Sequence, residues 1–270
     1  MLDNRNRFFI ILLLLALTFS VFTVFIYSGN VPTVSAKSAA LYEPSTKSFL
    51  YTKNENQRLP MASTTKIMTA LLAIENLDPD EIIEIDERAV GVEGSSVYLK
   101  SGEAMQAIDL VYSLLLQSAN DAAAALAIRI SGSIEDFAIL MNEKAESLGL
   151  SDTSFKNPHG LDEDGHYTTA HDLAILTAAA LENETFRTIT STYKKTLISS
   201  DMQRLVVNHN KLLKTYEGCI GVKTGYTKKS GRCLSSAAER GGKLLVAITI
   251  NAPDDWRDHK AMLDYGWSVS

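Results

Sequence analysis

The chain has 270 residues, of which 46% are hydrophobic and 21% are charged, a balance that is typical of a globular protein with a sizeable core. This composition excludes a wholly disordered chain. The formal net charge is only -6 and no run of five Lys or Arg residues occurs, which argues against nucleic acid as a partner.

The first 36 residues form the sharpest break in composition. Arg5 and Arg7 precede residues 8–28, which carry no charge and are rich in Leu, Ile, Phe and Val. Basic residues before such a run place its start in the cytoplasm, so we expect the rest of the chain to be exported. The tripeptide at residues 34–36 resembles a signal-peptide cleavage site, yet about 20 apolar residues can span a bilayer. Cleavage near Ala36 and an uncleaved anchor are both open, and the length favours the anchor.

Residues 37–270 begin with strands and continue as helices. A hairpin is expected over residues 39–51, with its turn at Pro44. Helical periodicity over residues 61–76 places Ser63 in the first turn of a helix. Leu-rich and Ala-rich segments predict two helices on either side of a loop at residues 117–121.

The second half of the chain returns to strands. Helices are expected over residues 134–148 and 170–181, and a last helix over residues 256–267. Between them, strands are expected over residues 219–223, 233–238 and 244–251. Strands at both ends of a helical middle predict one sheet that is assembled from distant parts of the chain.

Two cysteines, Cys219 and Cys233, fall in two of these strands. One disulfide is compatible with an exported protein. Two small buried thiols are the alternative, because cysteine is often buried without a bond.

Two serine–lysine pairs have the spacing S-x-x-K, Ser63 with Lys66 and Ser191 with Lys194. In a helix, positions i and i+3 share a face, so the lysine amine can reach the serine hydroxyl. Ser63 begins a predicted helix, whereas Ser191 lies in a polar stretch without apolar periodicity. We therefore expect Ser63 to be a nucleophile and Lys66 to handle its proton.

A lysine can act as a base only when its pKa is lowered by burial or by a nearby cation. Lys223 could supply that cation. The amide of Ser63 lies among the unpaired N–H groups of a helix start, so it can donate to a developing oxyanion.

Three motifs occur in order: Ser63-Thr64-Thr65-Lys66, Ser118-Ala119-Asn120 and Lys223-Thr224-Gly225. Together they resemble the S-x-x-K, S-D-N and K-T-G set of penicillin-binding proteins and class A β-lactamases, with Ala119 in place of Asp. The resemblance is closer still to the serine-type D-Ala-D-Ala carboxypeptidases, the low-molecular-mass penicillin-binding proteins of peptidase family S11. It covers about residues 39–267 and includes Asn157-Pro158-His159-Gly160-Leu161, Asn208-His209-Asn210 and Gly221-Val222-Lys223-Thr224-Gly225-Tyr226-Thr227.

The resemblance implies an α/β (α+β) fold, with an antiparallel five-stranded sheet flanked by helices and a mostly helical subdomain. Residues 1–36 would be a membrane anchor or signal peptide, and residues 37–270 the penicillin-binding serine peptidase domain. Many members continue into a second, β-rich domain with a C-terminal membrane anchor. We expect the N-terminal segment to anchor this chain instead.

The resemblance also implies roles for single residues. Ser63 would attack the carbonyl between the last two D-alanines of a peptidoglycan stem pentapeptide and form an acyl-enzyme, with Lys66 accepting its proton. Ser118 would pass a proton to the leaving amine, and Asn120 would orient the substrate and Lys66. The remaining substrate-binding residues are these: Lys223, Thr224 and Arg257 at the terminal carboxylate, Gly225 on the same strand, and the amide of Tyr226 in the oxyanion hole.

The same resemblance implies no cofactor and no metal, and it makes β-lactams covalent inhibitors. The enzyme would act on the extracytoplasmic face of the bacterial cell membrane, or be secreted after cleavage. Two alternatives use the same acylation: a β-lactamase, for which Glu163 is the nearest deacylating glutamate, and a penicillin-binding sensor with little turnover. Metal-dependent hydrolysis is a third, because several possible ligands crowd one loop: His159, Asp162, Asp164, His166 and His171.

Overall fold

The structure is a computed structural model that describes residues 31–270. The segment expected to meet the membrane, residues 8–28, lies outside the described residues. Within residues 31–270, no helix has the length and apolar character needed to cross a bilayer.

The described part of the chain contains nine strands and eight helices. In chain order they are β1 (Ser38–Glu43), β2 (Ser48–Lys53), α1 (Lys66–Asn76), β3 (Ile82–Glu84), β4 (Ala104–Gln106), α2 (Ala107–Leu116), α3 (Asn120–Ser131), α4 (Ile134–Ser147), α5 (Ala170–Leu181), α6 (Glu184–Ser191), β5 (Lys194–Ile198), β6 (Gln203–Val207), α7 (Leu212–Thr215), β7 (Cys219–Thr227), β8 (Gly231–Arg240), β9 (Lys243–Ile250) and α8 (Asp255–Val269).

A five-stranded antiparallel sheet has the strand order β2-β1-β9-β8-β7. Strand β1 therefore lies between its hairpin partner β2 and the distant strand β9. This confirms the predicted α/β class and the predicted sheet built from both ends of the unit.

The two faces of the sheet pack against different helices because neighbouring strand residues point to opposite sides. Leu41 belongs to a small core that includes Met262 and Leu263 of α8. Ala40, the preceding residue, belongs to the large core that the helical middle shares with the other face. Strand β7 stands at one edge of the sheet and is the strand that approaches the start of α1.

Local capping sets several helix boundaries. Ser133 and Thr169 precede α4 and α5, and each side-chain oxygen accepts from the backbone amide three residues on. Helix α3 ends at Gly132, whose φ of 82° is the left-handed conformation common after helices. The predicted helices at residues 134–148 and 170–181 are confirmed within one residue at each end.

The region around Ser191 differs from our expectation. It was expected to lack apolar periodicity, but Ser191 is the last residue of α6, which buries Phe186 and Ile189. The Ser191 hydroxyl donates to backbone carbonyls of its own helix, and Lys194 begins an exposed strand. This second S-x-x-K string therefore ends a helix, which separates its serine from its lysine.

The two cysteines are separate thiols. Cys219 pairs in register with Ala238, five residues beyond Cys233 on the same strand. At about 3.4 Å per residue the cysteines lie roughly 17 Å apart, far beyond the reach of a disulfide. Burial raises the pKa of both thiols to about 11.

The segment just before β1 is part of the folded core. Val34 and Ala36 are buried. The amides of Ser35 and Ala36 and the Ser35 hydroxyl all donate to one carboxylate oxygen of Asp258 in α8, at 2.7 to 3.0 Å. Lys53 of β2 donates to the Val34 carbonyl. The residues that resemble a cleavage site are therefore bonded into the domain.

Candidate active site

Ser63 lies in a 3-10 turn, Ala62–Thr65, that runs directly into α1. Lys66 Nζ donates to Ser63 Oγ over 3.0 Å. This is the contact that the S-x-x-K spacing predicts for a helical turn. A proton can therefore pass directly between the two groups.

The amine of Lys66 is held by three acceptors inside the protein. Its side chain is fully buried. Besides Ser63 Oγ, Lys66 Nζ donates to Asn120 Oδ1 at 2.6 Å and to the His159 carbonyl at 2.5 Å. All three contacts are neutral oxygens; among residues 31–270 the Asp121 carboxylate raises the pKa of the amine, but less than burial and Lys223 lower it.

Two lysines of the site are buried, and both have lowered pKa values. Burial lowers the pKa of Lys66 well below the usual lysine value, and Lys223 lowers it further. Burial alone lowers the pKa of Lys223 to about 7. Both effects on Lys66 favour the neutral amine, whose two N–H groups can serve Asn120 and the His159 carbonyl while its lone pair accepts the serine proton, as a base must.

The loop between α2 and α3 carries Ser118 and leads directly into Asn120. Ser118 has a left-handed φ of 61° and lines the cavity beside Ser63. Asn120 is the first residue of α3, and its side-chain amide links Lys66 Nζ to the carbonyl of Glu93. The same loop thus supplies a second hydroxyl and the group that orients the base.

Asp121 is a site residue whose role the sequence did not reveal. Its buried carboxylate accepts from the amides of Val97 and Leu99 and from the Ser96 hydroxyl. These hydrogen bonds fix residues 96–99, and the residue before them, Ser95, lines the cavity. Asp121 directly follows the Ser118-Ala119-Asn120 motif, but only the folded chain shows what it binds.

Lys223, Thr224 and Gly225 lie on β7, the edge strand nearest Ser63. Lys223 is buried and donates to the Thr224 carbonyl at 2.9 Å. A Cβ on Gly225 would stand 2.9 Å from the Ser63 amide nitrogen, closer than real contacts allow. The glycine therefore lets β7 approach the nucleophile, while Thr224 and Tyr226 line the cavity.

The cavity at Ser63 has a volume of about 570 Å³. Sequence reasoning missed several of its lining residues. Arg232 lies on β8 opposite Tyr226, and its guanidinium is 3.9 Å from the carboxylate of Asp255. Ser95, Asp255 and Trp256 also line the cavity without a local signal in the sequence, whereas His209 belongs to the Asn208-His209-Asn210 stretch that the resemblance includes.

Arg257 does not line this cavity. Its side chain is 65% exposed and lies 3.3 Å from Asp254 and 3.7 Å from Asp258. The two residues before it, Asp255 and Trp256, do line the cavity. The structure therefore brings all the predicted site residues together except Arg257.

The loop at residues 157–166 supports the nucleophile from behind. Asn157 closes the loop by accepting from the Gly160 amide and donating to the Leu161 carbonyl. A Cβ on Gly160 would lie only 2.0 Å from the Ala62 carbonyl oxygen. The stretch Asn157-Pro158-His159-Gly160-Leu161 is thus a close-packed support for the turn that carries Ser63.

Glu163 does not occupy the position of a deacylating base. It is exposed, accepts from Asn157 Nδ2 at 3.0 Å and does not line the cavity. Glu163, the nearest candidate for a deacylating glutamate, therefore gives the β-lactamase alternative no support.

The crowded loop also provides no ligand set for a metal ion. Among residues 31–270, no three His, Cys, Asp or Glu side chains are grouped closely enough to hold one. Asp162 accepts instead from the Thr227 hydroxyl, and His171 pairs with Asp172.

A serine in contact with a buried lysine, a second serine and an asparagine where α3 begins, and a lysine on the edge strand define a serine enzyme of acyl transfer with the penicillin-binding fold. The family model described as D-alanyl-D-alanine carboxypeptidase (Peptidase S11) matches residues 26–254. The chain belongs to this family.

Relatives and solved structures agree. The chain is 42% identical to the D-alanyl-D-alanine carboxypeptidase DacF of Bacillus subtilis (strain 168), over 86% of this chain and 62% of DacF, so it spans less than two thirds of that relative. It is 35% identical to DacB2 of Mycobacterium tuberculosis (strain ATCC 25618 / H37Rv), over 81% of this chain and 77% of DacB2. The crystal structure of the Streptomyces K15 DD-transpeptidase matches with a TM-score of 0.83 at 31% identity, over 89% of this chain and all of that one.

Proposed function

We propose that the protein is a D-Ala-D-Ala carboxypeptidase that removes the terminal D-alanine from peptidoglycan stem pentapeptides. The observation that carries the proposal is the contact between the buried Lys66 Nζ and the partly exposed Ser63 Oγ, together with the lowered pKa of Lys66. Membership of the family and the names of its relatives give the substrate class.

Acylation follows from the positions of the side chains. Ser63 Oγ attacks the penultimate D-alanine carbonyl while Lys66 takes the hydroxyl proton, and the new C–O bond gives a tetrahedral oxyanion. The amides of Ser63 and Tyr226 stabilise that oxyanion. The C–N bond then breaks, and Ser118 passes a proton to the departing amine of D-alanine.

The free carboxylate of the substrate selects this end of the peptide. We assign it to Lys223, Thr224 and Arg232, because Thr224 and Arg232 line the cavity and the Lys223 amine contacts the Thr224 carbonyl. Arg232 takes the role expected of Arg257, whose guanidinium is directed to Asp254 and Asp258. A positively charged group in a partly closed cavity attracts a carboxylate strongly.

The acyl-enzyme is resolved when water attacks the ester and Ser63 leaves with its proton restored. The Streptomyces K15 neighbour is named a DD-transpeptidase, so an amine in place of water is the second candidate. The two outcomes differ only in the nucleophile, and analysis of the products separates them: a free tetrapeptide for hydrolysis and a cross-linked dimer for transfer.

We further propose that residues 8–28 anchor the enzyme on the outer face of the membrane. Their apolar character and the basic residues before them support this location. The bonds of Ser35 and Ala36 to Asp258 also disfavour cleavage after Ala36. A mass measurement of the protein isolated from membranes would test the proposal, and a mature chain that begins at Lys37 would contradict it.

The central experiment incubates the full chain with penicillin and locates the adduct by peptide mass spectrometry. We expect one acyl group on Ser63, absent in Ser63→Ala and retained in the matched control Ser191→Ala. An adduct on Ser118 or Ser191 would refute the assignment of the nucleophile.

A second assay measures D-alanine released from a stem pentapeptide. Steady release by the wild type and none by Ser63→Ala is the expected result. A stable penicillin adduct without release would favour a sensor. Rapid and sustained hydrolysis of a chromogenic cephalosporin would favour a β-lactamase.

A further inference from the structure

His166 is a buried histidine that the proposed reaction does not use. Its side chain is 5% exposed, and its ring meets the edge of Phe155. Both ring nitrogens have polar partners: the Lys156 amide lies 3.0 Å from Nδ1, and the Thr65 hydroxyl lies 2.8 Å from Nε2.

These partners decide which nitrogen of His166 carries the proton. A backbone amide can only donate, so Nδ1 must hold the lone pair and the proton is on Nε2. Nε2–H therefore donates to Thr65 Oγ1, which in turn donates to the Ala62 carbonyl at 2.8 Å. The chain of donors runs in one direction and ends on the residue next to Ser63.

The Ala62–Thr65 turn, at which this series of hydrogen bonds ends, has an unfavourable backbone conformation. Ala62 has a φ of 46°, a left-handed value that is unfavourable for a residue with a Cβ. Its carbonyl is held between Thr65 Oγ1 and the close-packed Gly160. Such a conformation persists only when its surroundings hold it in place.

We propose that His166 is a positioning residue for the nucleophile: through Thr65 it holds the Ala62–Thr65 turn in the conformation that aims Ser63 Oγ and its amide into the cavity. The inference rests on the proposed function only in taking Ser63 as the nucleophile. Burial, together with the nearby Lys156 and Lys66 side chains, lowers the pKa of His166 to about 4, so the ring is neutral near pH 7 and its two hydrogen bonds set the tautomer.

Two substitutions of His166 separate positioning from packing. The Gln amide nitrogen can occupy the place of Nε2 and still donate to Thr65, whereas the shorter Asn can replace only Nδ1. We expect His166→Asn to slow acylation of Ser63 by fluorescent penicillin about ten- to a hundredfold, since displacements of about 1 Å cost rates of this order. His166→Gln should stay within a few fold of the wild type, and KM for the peptide should change little in either variant.

Thr65 provides an independent test. Thr65→Val removes the hydroxyl and should slow acylation about as much as His166→Asn, while Thr65→Ser restores it. The double variant His166→Asn with Thr65→Val should be no slower than the slower single one, because both break the same chain of bonds. Multiplied losses in the double variant would overturn the proposal.

Equal losses in His166→Asn and His166→Gln, accompanied by a parallel fall in melting temperature, would reduce His166 to a packing role and overturn the proposal. Wild-type acylation in His166→Asn would do the same. If the wild type reacts with penicillin but releases no D-alanine, the carboxypeptidase proposal fails while the acylation rates still decide the role of His166.

Discussion

Gly225 is the residue at which the distance between β7 and the nucleophile is set. An alanine Cβ there would stand 2.9 Å from the Ser63 amide nitrogen and 3.1 Å from the Ala62 Cβ, two atoms of the tightly packed Ala62–Thr65 turn. We expect Gly225→Ala to displace the oxyanion donor and to lower the penicillin acylation rate about a hundredfold. The variant should keep the circular dichroism spectrum of the wild type, and acylation at the wild-type rate would contradict this account.

Lys223 should give the reaction an alkaline limit. Its pKa of about 7 means that it loses its charge as the pH rises from 7 to 9, and with it the attraction for a carboxylate. We expect the second-order acylation rate with penicillin to fall about tenfold over this range, since a bond to a charged group contributes about 1.5 kcal/mol. The methyl ester of the same penicillin is the control and should lack the decline. Equal profiles for acid and ester would contradict the role of Lys223.

At the scale of single elements, the segment before β1 fastens α8 to the sheet. A chain that begins at Lys37 loses two buried side chains and the three bonds to Asp258. We expect it to be about 3 to 5 kcal/mol less stable to urea than a chain that begins at residue 31. In the shorter chain Asp258→Ala should cost less than in the longer one, because the partners are already gone. Equal midpoints for the two chains would contradict the expectation.

The elements that the sequence predicted are those with a strong apolar period. Helix α1 buries Ile67, Met68 and Leu71, and this apolar periodicity can be recognised from the sequence alone. The missed elements bury very little: α6 buries only two apolar residues, and β5 and β6 bury one residue each, Leu197 and Val206. These elements are stabilised by contacts with neighbouring elements rather than by an apolar periodicity of their own. Such contacts cannot be predicted from the local sequence.

The residues of the active site also fall into those that the sequence predicts and those that it does not. Ser63 and Lys66 are close in sequence, so helical geometry predicted their contact. Arg232 enters the cavity only because the β7–β8 register places it opposite Tyr226. Arg257 was chosen from the resemblance, yet the rotation of α8 points it at Asp254. A register and a helix rotation are set by the packing of the whole molecule.

At the scale of the whole molecule, buried neutral histidines should make the fold sensitive to acid. Burial lowers the pKa of His259 to about 3 and that of His166 to about 4, below the ordinary value of about 6.5. Between these values the unfolded chain binds more protons than the folded one, so stability falls as the pH falls. We expect each histidine to cost about 2 kcal/mol between pH 7 and pH 5.

Urea unfolding at several pH values measures this loss. His259 lies between the hydroxyls of Ser236 and Thr249, so His259→Gln keeps a polar side chain there and removes one titrating group. The variant should lose stability less steeply between pH 7 and pH 5 than the wild type. An unchanged slope would contradict the assignment of His259 as a buried neutral ring.

The position of β1 between β2 and β9 determines how late in folding the active enzyme can form. Ala39 pairs with Thr249, some two hundred residues further along the chain, so the centre of the sheet stays open until almost all of the domain has been synthesised. Contacts of such long range form late and slowly. Until then β7 has no sheet to hold it against Ser63, and a chain emerging from the ribosome carries a serine and a lysine but no catalyst. We therefore expect activity only after β9, the last strand, has joined the sheet.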